Sequence, residues 1–280
     1  MPFVRHDGAR LAYETFGEGT RHVVLVPGLL LPQKMQWPLA RHLAGRGNHV
    51  ITLDPLGHGA SDRPNDMRRY SFPAFARQVV ALLDHLGIEE AVVGGTSLGA
   101  NVTLEVAALA PDRLRGMIVE MPVLDHALVG CAIAFAPLLV LLTYGEPVAR
   151  LIAGVAKRVP RGPVPHIAEV GLDWIGQDPG PSGAMLQGLL FGRIAPPQEE
   201  RRTFEAPTLV IGHPRDPVHP FSDADALLRE LPNARLANAS WILELRLTPD
   251  RLSREIAEFV DGCWRRPRGA ARRRRRAAAS

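Results

Sequence analysis

Short apolar runs alternate with helical patterns along much of this chain, and that order restricts the fold more than any other feature. Runs typical of buried strands lie at His22–Val26, His49–Leu53, Ala91–Val93, Arg115–Glu120, Thr208–Ile211 and Arg235–Ala237. Helical spacing follows at Trp37–Leu43, Phe72–Leu86, Leu98–Ala110, Asp223–Leu231 and Asp250–Val260. Because strands joined through crossover helices run parallel, the pattern predicts a mostly parallel, doubly wound α/β sheet. An antiparallel hairpin, with its turn at Asp7-Gly8, is expected before it.

Residues 123–200 interrupt this alternation. They contain no convincing strand, and they include the uncharged 17-residue stretch Ala127–Thr143. That length is near the lower limit for a membrane span, but Pro137 interrupts the stretch, so a buried or groove-lining helix is the better interpretation. We expect 123–200 to form a helical cap over the carboxyl edge of the sheet, inserted into a core made of 1–122 and 201–264.

Composition excludes several classes of protein. The 280 residues are 46% hydrophobic and 22% charged, as in soluble globular chains. Two cysteines, Cys131 and Cys263, are too few for a disulfide framework or a zinc cluster. The first twenty residues lack the apolar run of a signal peptide, so a cytoplasmic location is expected.

The net charge of +4 comes from the C-terminal end of the chain. Residues 265–280 hold eight arginines and no acid, which leaves 25 basic and 29 acidic residues elsewhere, a net charge of −4. A run of like charges repels itself, which predicts a disordered, solvated tail. The tail could adhere to nucleic acid or anionic lipid without specificity. No aromatic stacking face accompanies it, so no specific nucleic-acid partner is expected.

A serine lies at the turn between a predicted strand and a predicted helix. Gly95, Ser97 and Gly99 form the pattern G-x-S-x-G. A serine on so tight a turn exposes its hydroxyl above the sheet, and only very small neighbours two residues away allow that approach. The helix that follows presents free N–H groups and the positive end of its dipole. Ser97 is therefore the candidate nucleophile, with the backbone N–H groups of Leu29 and Leu98 as the candidate oxyanion hole.

Five segments, in order, resemble the α/β-hydrolase superfamily, in the branch with a helical cap after the sixth strand. They are the hairpin DGARLAYETFGEG, the turn VPGLL that holds Leu29, the loop DPLGHGASDRP, the elbow GGTSLGA and the loop GHPRDPVHP. The resemblance implies an α/β-hydrolase fold with Ser97 as nucleophile. It also implies that Asp216, after the seventh strand, orients a histidine. Asp125 is a weaker substitute for that acid, and a turn-forming Asp-Pro pair is the structural alternative for Asp216.

The histidine of that family is missing from its usual place. The family order is serine, acid, histidine, and none of the ten histidines follows His219. The resemblance places the base near Ile242, whose side chain cannot take a proton. The candidates for a displaced base are the histidines of predicted loops at the carboxyl edge: His58, His126, His213 and His219. We expect His219 to be too close to Asp216 for the usual geometry, and His126 to have more freedom to reach Ser97.

Two alternatives need no displaced histidine. Glu244 lies two residues from Ile242 and could share a proton with Asp216, which would raise its pKa. A salt bridge from Glu244 to Arg246, or exposure of Glu244 beyond the strand, is the simpler interpretation of that residue. The chain could also be a pseudoenzyme that binds a ligand or protein partner, because glycines at such a turn also serve the packing of strand against helix.

The function predicted from the sequence is hydrolysis of a small hydrophobic ester or acyl substrate by Ser97, with a non-catalytic binding protein as the alternative. Apolar cap residues suggest that substrate, although cap-to-body packing explains most of them equally well: Val123, Leu128, Ile133, Phe135, Leu138 and Leu141. No cofactor and no metal are predicted, because the sequence has no HExxH, no P-loop and no Cys/His cluster.

Overall fold

The computed structural model describes residues 1–162 and 164–265. The described strands are β1 (Phe3–His6), β2 (Ala9–Phe16), β3 (Arg21–Val26), β4 (Asn48–Leu53), β5 (Ala91–Thr96), β6 (Leu114–Glu120), β7 (Thr208–Gly212) and β8 (Ala234–Asn238). They form one sheet in the order β1-β2-β4-β3-β5-β6-β7-β8. The pairs β1–β2 and β2–β4 are antiparallel and the remaining pairs are parallel. The predicted, mostly parallel sheet is confirmed. The predicted tail lies outside the described residues except for Arg265.

The entry hairpin forms at the predicted turn. Asp7 and Gly8 both have positive φ angles, 47° and 73°, as a tight two-residue hairpin turn requires. His6 and Ala9 pair directly across that turn.

Helices cover both faces of the sheet. They are α1 (Trp37–Ala44), α2 (Phe72–His85), α3 (Leu98–Leu109), α9 (Phe221–Glu230) and α11 (Asp250–Arg265). Alternate residues of β3 point to opposite faces of the sheet. Val23 and Leu25 pack in the hydrophobic cluster with α1 and α11, whereas Val24 and Val26 pack in the hydrophobic cluster with α2 and α3. Because both faces of β3 are buried in this way, its sequence is a nearly continuous apolar run.

Between β6 and β7, the described chain forms five helices. They are α4 (Ala127–Tyr144), α5 (Glu146–Arg158), α6 (His166–Ile175), α7 (Pro179–Leu190) and α8 (Gln198–Arg201). Helix α7 attaches this segment to the body, because Met185 is fully buried in the core cluster of α2 and α3. One further helix, α10 (Glu244–Leu247), lies between β8 and α11.

Helix α4 differs from its prediction. Only 6% of its 18 residues are buried, and Ile133 is 72% exposed. The expectation that this helix is buried is therefore wrong, whereas a groove-lining helix stays a prediction. Its sequence is apolar all round, so no polar face distinguished burial from exposure. Among the described helices, α4 is long and apolar enough to cross a membrane by length and composition, which alone is weak evidence of a span. Pro137 lies within the helix and does not end it.

Candidate functional site

Ser97 occupies a strained turn between β5 and α3. Its φ and ψ angles are 54° and −109°, a left-handed conformation that a side chain seldom adopts. The two flanking glycines allow the turn. A Cβ on Gly95 would lie 2.6 Å from the carbonyl oxygen of Val26, and one on Gly99 would lie 2.8 Å from the carbonyl carbon of Val26. Both distances are shorter than real Cβ contacts, so a larger residue at either position would force the backbone to shift.

His219 lies against this serine. Its Nε2 is 2.8 Å from Oγ of Ser97, and its Nδ1 is 2.9 Å from Oδ2 of Asp216. Asp216 and His219 belong to the loop after β7, and their side chains are largely buried. Serine, imidazole and carboxylate therefore form a continuous hydrogen-bonded series.

The expectation that His219, only three positions after Asp216, is too close for the usual geometry is wrong. Oδ1 of Asp216 accepts the backbone N–H groups of Val218 at 2.8 Å and of His219 at 3.0 Å. This turn folds the chain back over the carboxylate, so Oδ2 stays free to accept from the imidazole. Burial acts to raise the pKa of Asp216, but the hydrogen bonds from the His219 ring and backbone outweigh it and hold the pKa below its usual value.

The other three candidate histidines have different partners. His126 places its Nδ1 2.8 Å from Oδ1 of Asp223, so the prediction that His126 reaches Ser97 more readily is wrong. His58 is buried, with its Nδ1 3.1 Å from the carbonyl oxygen of Leu56. His213 places its Nδ1 3.3 Å from the carbonyl oxygen of Trp241 and its Nε2 3.3 Å from Oε1 of Glu120. Within the described residues, His219 is the histidine in hydrogen-bonding reach of Ser97.

Glu244 does not share a proton with Asp216. Its carboxylate accepts from Nε of Arg251 at 2.8 Å and from the second guanidinium nitrogen at 2.9 Å. These bonds lower the pKa of Glu244, opposite to the predicted rise. Arg246, the expected partner of Glu244, contacts Glu120 instead. Ile242 lies in the segment after β8 and is 36% exposed.

The two predicted oxyanion-hole residues lie at the same edge of the sheet. Leu98 is the first residue of α3, so its N–H has no acceptor within that helix. Leu29 lies in the turn after β3, in which the N–H of Leu31 donates to the carbonyl oxygen of Gly28 at 3.0 Å. A Cβ on Gly28 would lie 3.6 Å from the carbonyl oxygen of Thr96, so this turn adjoins the serine. Asp125 is exposed.

A buried polar cluster that the sequence did not lead us to expect supports the turn from below. The carbonyl oxygen of Glu120 accepts from the N–H of Ser97 at 2.8 Å. Its carboxylate accepts from the hydroxyl of Thr96 and from Arg246 at 2.6 Å. Burial acts to raise the pKa of Glu120, but Arg246 and His213 outweigh it and lower the pKa to about 2. A carboxylate at the end of the buried strand LRGMIVE, directly after the apolar run MIV, is the signal that could have indicated this cluster.

Comparison with known proteins agrees with this architecture. Residues 21–136 match the family model described as the alpha/beta hydrolase fold. The serine hydrolase BPHL of Mus musculus is 26% identical over 265 residues, which cover 91% of this chain and 84% of that protein. The epoxide hydrolase B of Mycobacterium tuberculosis is 33% identical over 99 residues, which cover 34% of this chain and 28% of that protein.

Solved structures agree as well. The enol-lactonase from Burkholderia xenovorans LB400 has a TM-score of 0.74 at 20% identity, over 93% of this chain and 100% of that chain. The chain spans less than half the length of several curated relatives that it matches, such as the epoxide hydrolase. The sheet, the model matched over residues 21–136 and these structures together show that the chain has the α/β-hydrolase fold. The curated proteins that it resembles in sequence include a serine hydrolase and an epoxide hydrolase.

Proposed function

We propose that this protein is a serine hydrolase that cleaves an ester, lactone or related acyl bond. The observation that carries the proposal is the series Asp216, His219 and Ser97, with hydrogen-bonding distances of 2.9 and 2.8 Å. Because His219 stands in for the histidine missing near Ile242, the absence at that position is no obstacle to catalysis. This arrangement favours an enzyme over the pseudoenzyme alternative.

In the proposed reaction, Oγ of Ser97 attacks the acyl carbon while Nε2 of His219 takes its proton. Asp216 accepts the Nδ1–H of His219, which fixes the tautomer whose Nε2 can accept that proton and stabilises the imidazolium that forms. The N–H groups of Leu29 and Leu98 donate to the oxyanion. His219 then returns the proton to the leaving alcohol. A water molecule, deprotonated by His219, hydrolyses the acyl-serine and restores the free enzyme.

The surroundings favour an uncharged substrate. Helix α4 contains no charged residue, and its N-terminal part adjoins the loop of His219, since Sγ of Cys131 lies 3.9 Å from the carbonyl oxygen of Val218. Of the six apolar cap residues, Val123 is buried and Phe135, Leu138 and Leu141 are half-buried, whereas Leu128 and Ile133 are exposed. An apolar acyl or alcohol group suits an uncharged helix beside this loop better than a charged group does.

Labelling with a fluorophosphonate and turnover of p-nitrophenyl esters test the proposal. We expect Ser97→Ala to abolish labelling. We expect His219→Gln to lower kcat by roughly 10³-fold or more, because the serine loses its base. His126→Gln is the matched control, since His126 bonds to Asp223 and not to Ser97, and it should leave kcat within about twofold.

Two results would contradict the proposal. A wild-type protein that neither labels nor turns over any ester in the series would favour the pseudoenzyme. If the His219→Gln variant were as active as the wild type, another group would have to be the base.

A further inference from the structure

The turn that carries the proposed oxyanion donor Leu29 contains a strained residue. The N–H of Leu31 donates to the carbonyl oxygen of Gly28 at 3.0 Å, and Leu30 has a φ of 60°. A positive φ at the third position is typical of a type II turn, which normally places glycine there. A leucine seldom adopts this conformation, so neighbouring groups have to hold Leu30 in it.

Gln177 contacts this turn from the linker between α6 and α7. Its Nε2 donates to the carbonyl oxygen of Leu30 at 2.6 Å, and both residues are buried. Among the hydrogen bonds of the described residues, this is the one that the carbonyl oxygen of Leu30 accepts. Removing Gln177 would take the donor away from a buried acceptor, in a residue whose conformation is already unfavourable.

Arg63 fixes the orientation of the Gln177 amide. Nη1 of Arg63 donates to Oε1 of Gln177, and Nη2 of Arg63 donates to the carbonyl oxygen of Gly59 at 2.6 Å. Because a guanidinium can only donate, the amide oxygen must face Arg63 and the amide nitrogen must face Leu30. The amide therefore joins three segments, which are the loop after β4, the linker between α6 and α7, and the turn after β3.

The first part of the turn is fixed by the body of the protein. Nε2 of Gln36, which is buried, donates to the carbonyl oxygen of Val26 at 3.0 Å and to Oγ1 of Thr96 at 3.1 Å. Since Thr96 directly precedes the nucleophile, these bonds fix the end of β3 relative to the serine. The far part of the turn, at Leu30, depends instead on Gln177.

We infer that Gln177 is a positioning residue for the proposed reaction: its hydrogen bond to Leu30 holds the turn in the conformation that directs the N–H of Leu29 to the oxyanion. The inference rests on the proposed function, because the oxyanion hole is part of that proposal. An oxyanion donor acts on the charge that develops in the transition state. The loss of Gln177 should therefore lower kcat and leave KM almost unchanged.

Two substitutions in the full chain remove the donor in different ways. Gln177→Glu keeps an oxygen that accepts from Arg63, but it sets a second oxygen against the carbonyl oxygen of Leu30. Gln177→Met has a similar length and removes both hydrogen bonds. We expect kcat for p-nitrophenyl esters to fall by roughly 10- to 100-fold in both variants, because a displacement of about 1 Å in a catalytic group has an effect of this size.

Gln187→Glu and Gln187→Met are the matched controls. Gln187 lies on α7, is half-buried, and its side chain makes no hydrogen bond within the part of the chain that the structure describes. The same chemical changes at this position should keep kcat within about twofold of the wild type. The melting temperature of each variant shows whether it is folded.

Two further measurements separate positioning from a merely structural role. The pH dependence of kcat/KM reports the ionisation of the base in the free enzyme. It should be the same in the wild type and the Gln177 variants, because Gln177 bonds to Arg63 and Leu30 rather than to His219. Hydrogen exchange of a peptide containing Leu31, whose N–H closes the turn, should become faster in the Gln177 variants and not in the controls.

The outcomes distinguish this inference from the proposed function. A wild type without esterase activity or fluorophosphonate labelling would contradict the proposed function, and this inference with it. An active wild type whose Gln177 variants match the Gln187 controls in kcat would overturn the inference alone. A rise in KM with kcat retained, or a shifted pH dependence, would also overturn it, because Gln177 would then act on substrate binding or on the base. Unchanged exchange at Leu31 would show that Gln177 does not hold the turn.

Discussion

Replacing Asp216 by asparagine separates its two roles, which are to accept backbone N–H groups in the turn and to accept from the His219 ring. Oδ1 of Asp216 accepts two backbone N–H groups, from Val218 and His219, and Oδ2 accepts from the His219 ring. The asparagine oxygen must stay on the backbone side, because both backbone groups there are donors. Its NH₂ group then faces the ring and donates to Nδ1. The proton moves to Nε2, so the imidazole can no longer accept from Ser97.

The expected loss in Asp216→Asn is roughly 10⁴-fold in kcat, the usual effect of fixing the wrong tautomer in such a series. Stability should change little, by about 1 kcal/mol or less, since both backbone bonds survive. Asp216→Ala is the comparison: it also removes the acceptor of the two backbone N–H groups and should cost about 2 kcal/mol or more in the free energy of unfolding.

Ester hydrolysis under saturating substrate, together with urea denaturation of both variants, measures these effects. Activity of Asp216→Asn within tenfold of the wild type would refute the role given to the carboxylate. Equal stability of the asparagine and alanine variants would refute the role given to Oδ1.

Three further predictions concern the surroundings of the site. Arg246→Met leaves the carboxylate of Glu120 buried without its cation and should cost about 3–5 kcal/mol in urea denaturation; a cost under about 1 kcal/mol would contradict this. Burial lowers the pKa of His58 to about 4 from about 6.5 in the unfolded chain. The unfolded state therefore binds the proton first, and stability falls by about 3 kcal/mol as the pH drops from 6.5 toward 4. His58→Gln should remove that part of the pH dependence of the free energy of unfolding. If the free energy of unfolding fell between pH 6.5 and 4 as steeply in the variant as in the wild type, His58 would not be its cause. Gly99→Ala forces a Cβ to 2.8 Å from the carbonyl carbon of Val26 and should cost about 1–3 kcal/mol, so an unchanged melting temperature would show that the turn can relax.

Features that depend on neighbouring residues were predictable from the sequence. Ser71, a residue type that favours helix caps, directly precedes α2, and its hydroxyl accepts from the N–H of Ala74 at 3.3 Å. The hairpin at Asp7-Gly8, the parallel sheet and the turn at Ser97 all follow from local sterics, because only certain residues fit positive φ angles or a close strand-to-helix approach. Local rules of this kind act within a few residues of the chain.

The partner of Ser97 was decided by the tertiary structure. Ser97 and His219 are 122 positions apart in sequence, and their contact depends on how the loops after β5 and β7 meet at the sheet edge. The short spacing between Asp216 and His219 led to the wrong expectation for His219. That expectation did not include the turn in which the Asp216 carboxylate accepts backbone N–H groups. Likewise, Glu120 and Arg246 meet across 126 positions. The exposure of α4 also escaped prediction, since an apolar helix has the same sequence pattern whether protein or something else covers it. Through-space contacts of this kind depend on the summed packing of distant elements, which no local pattern encodes.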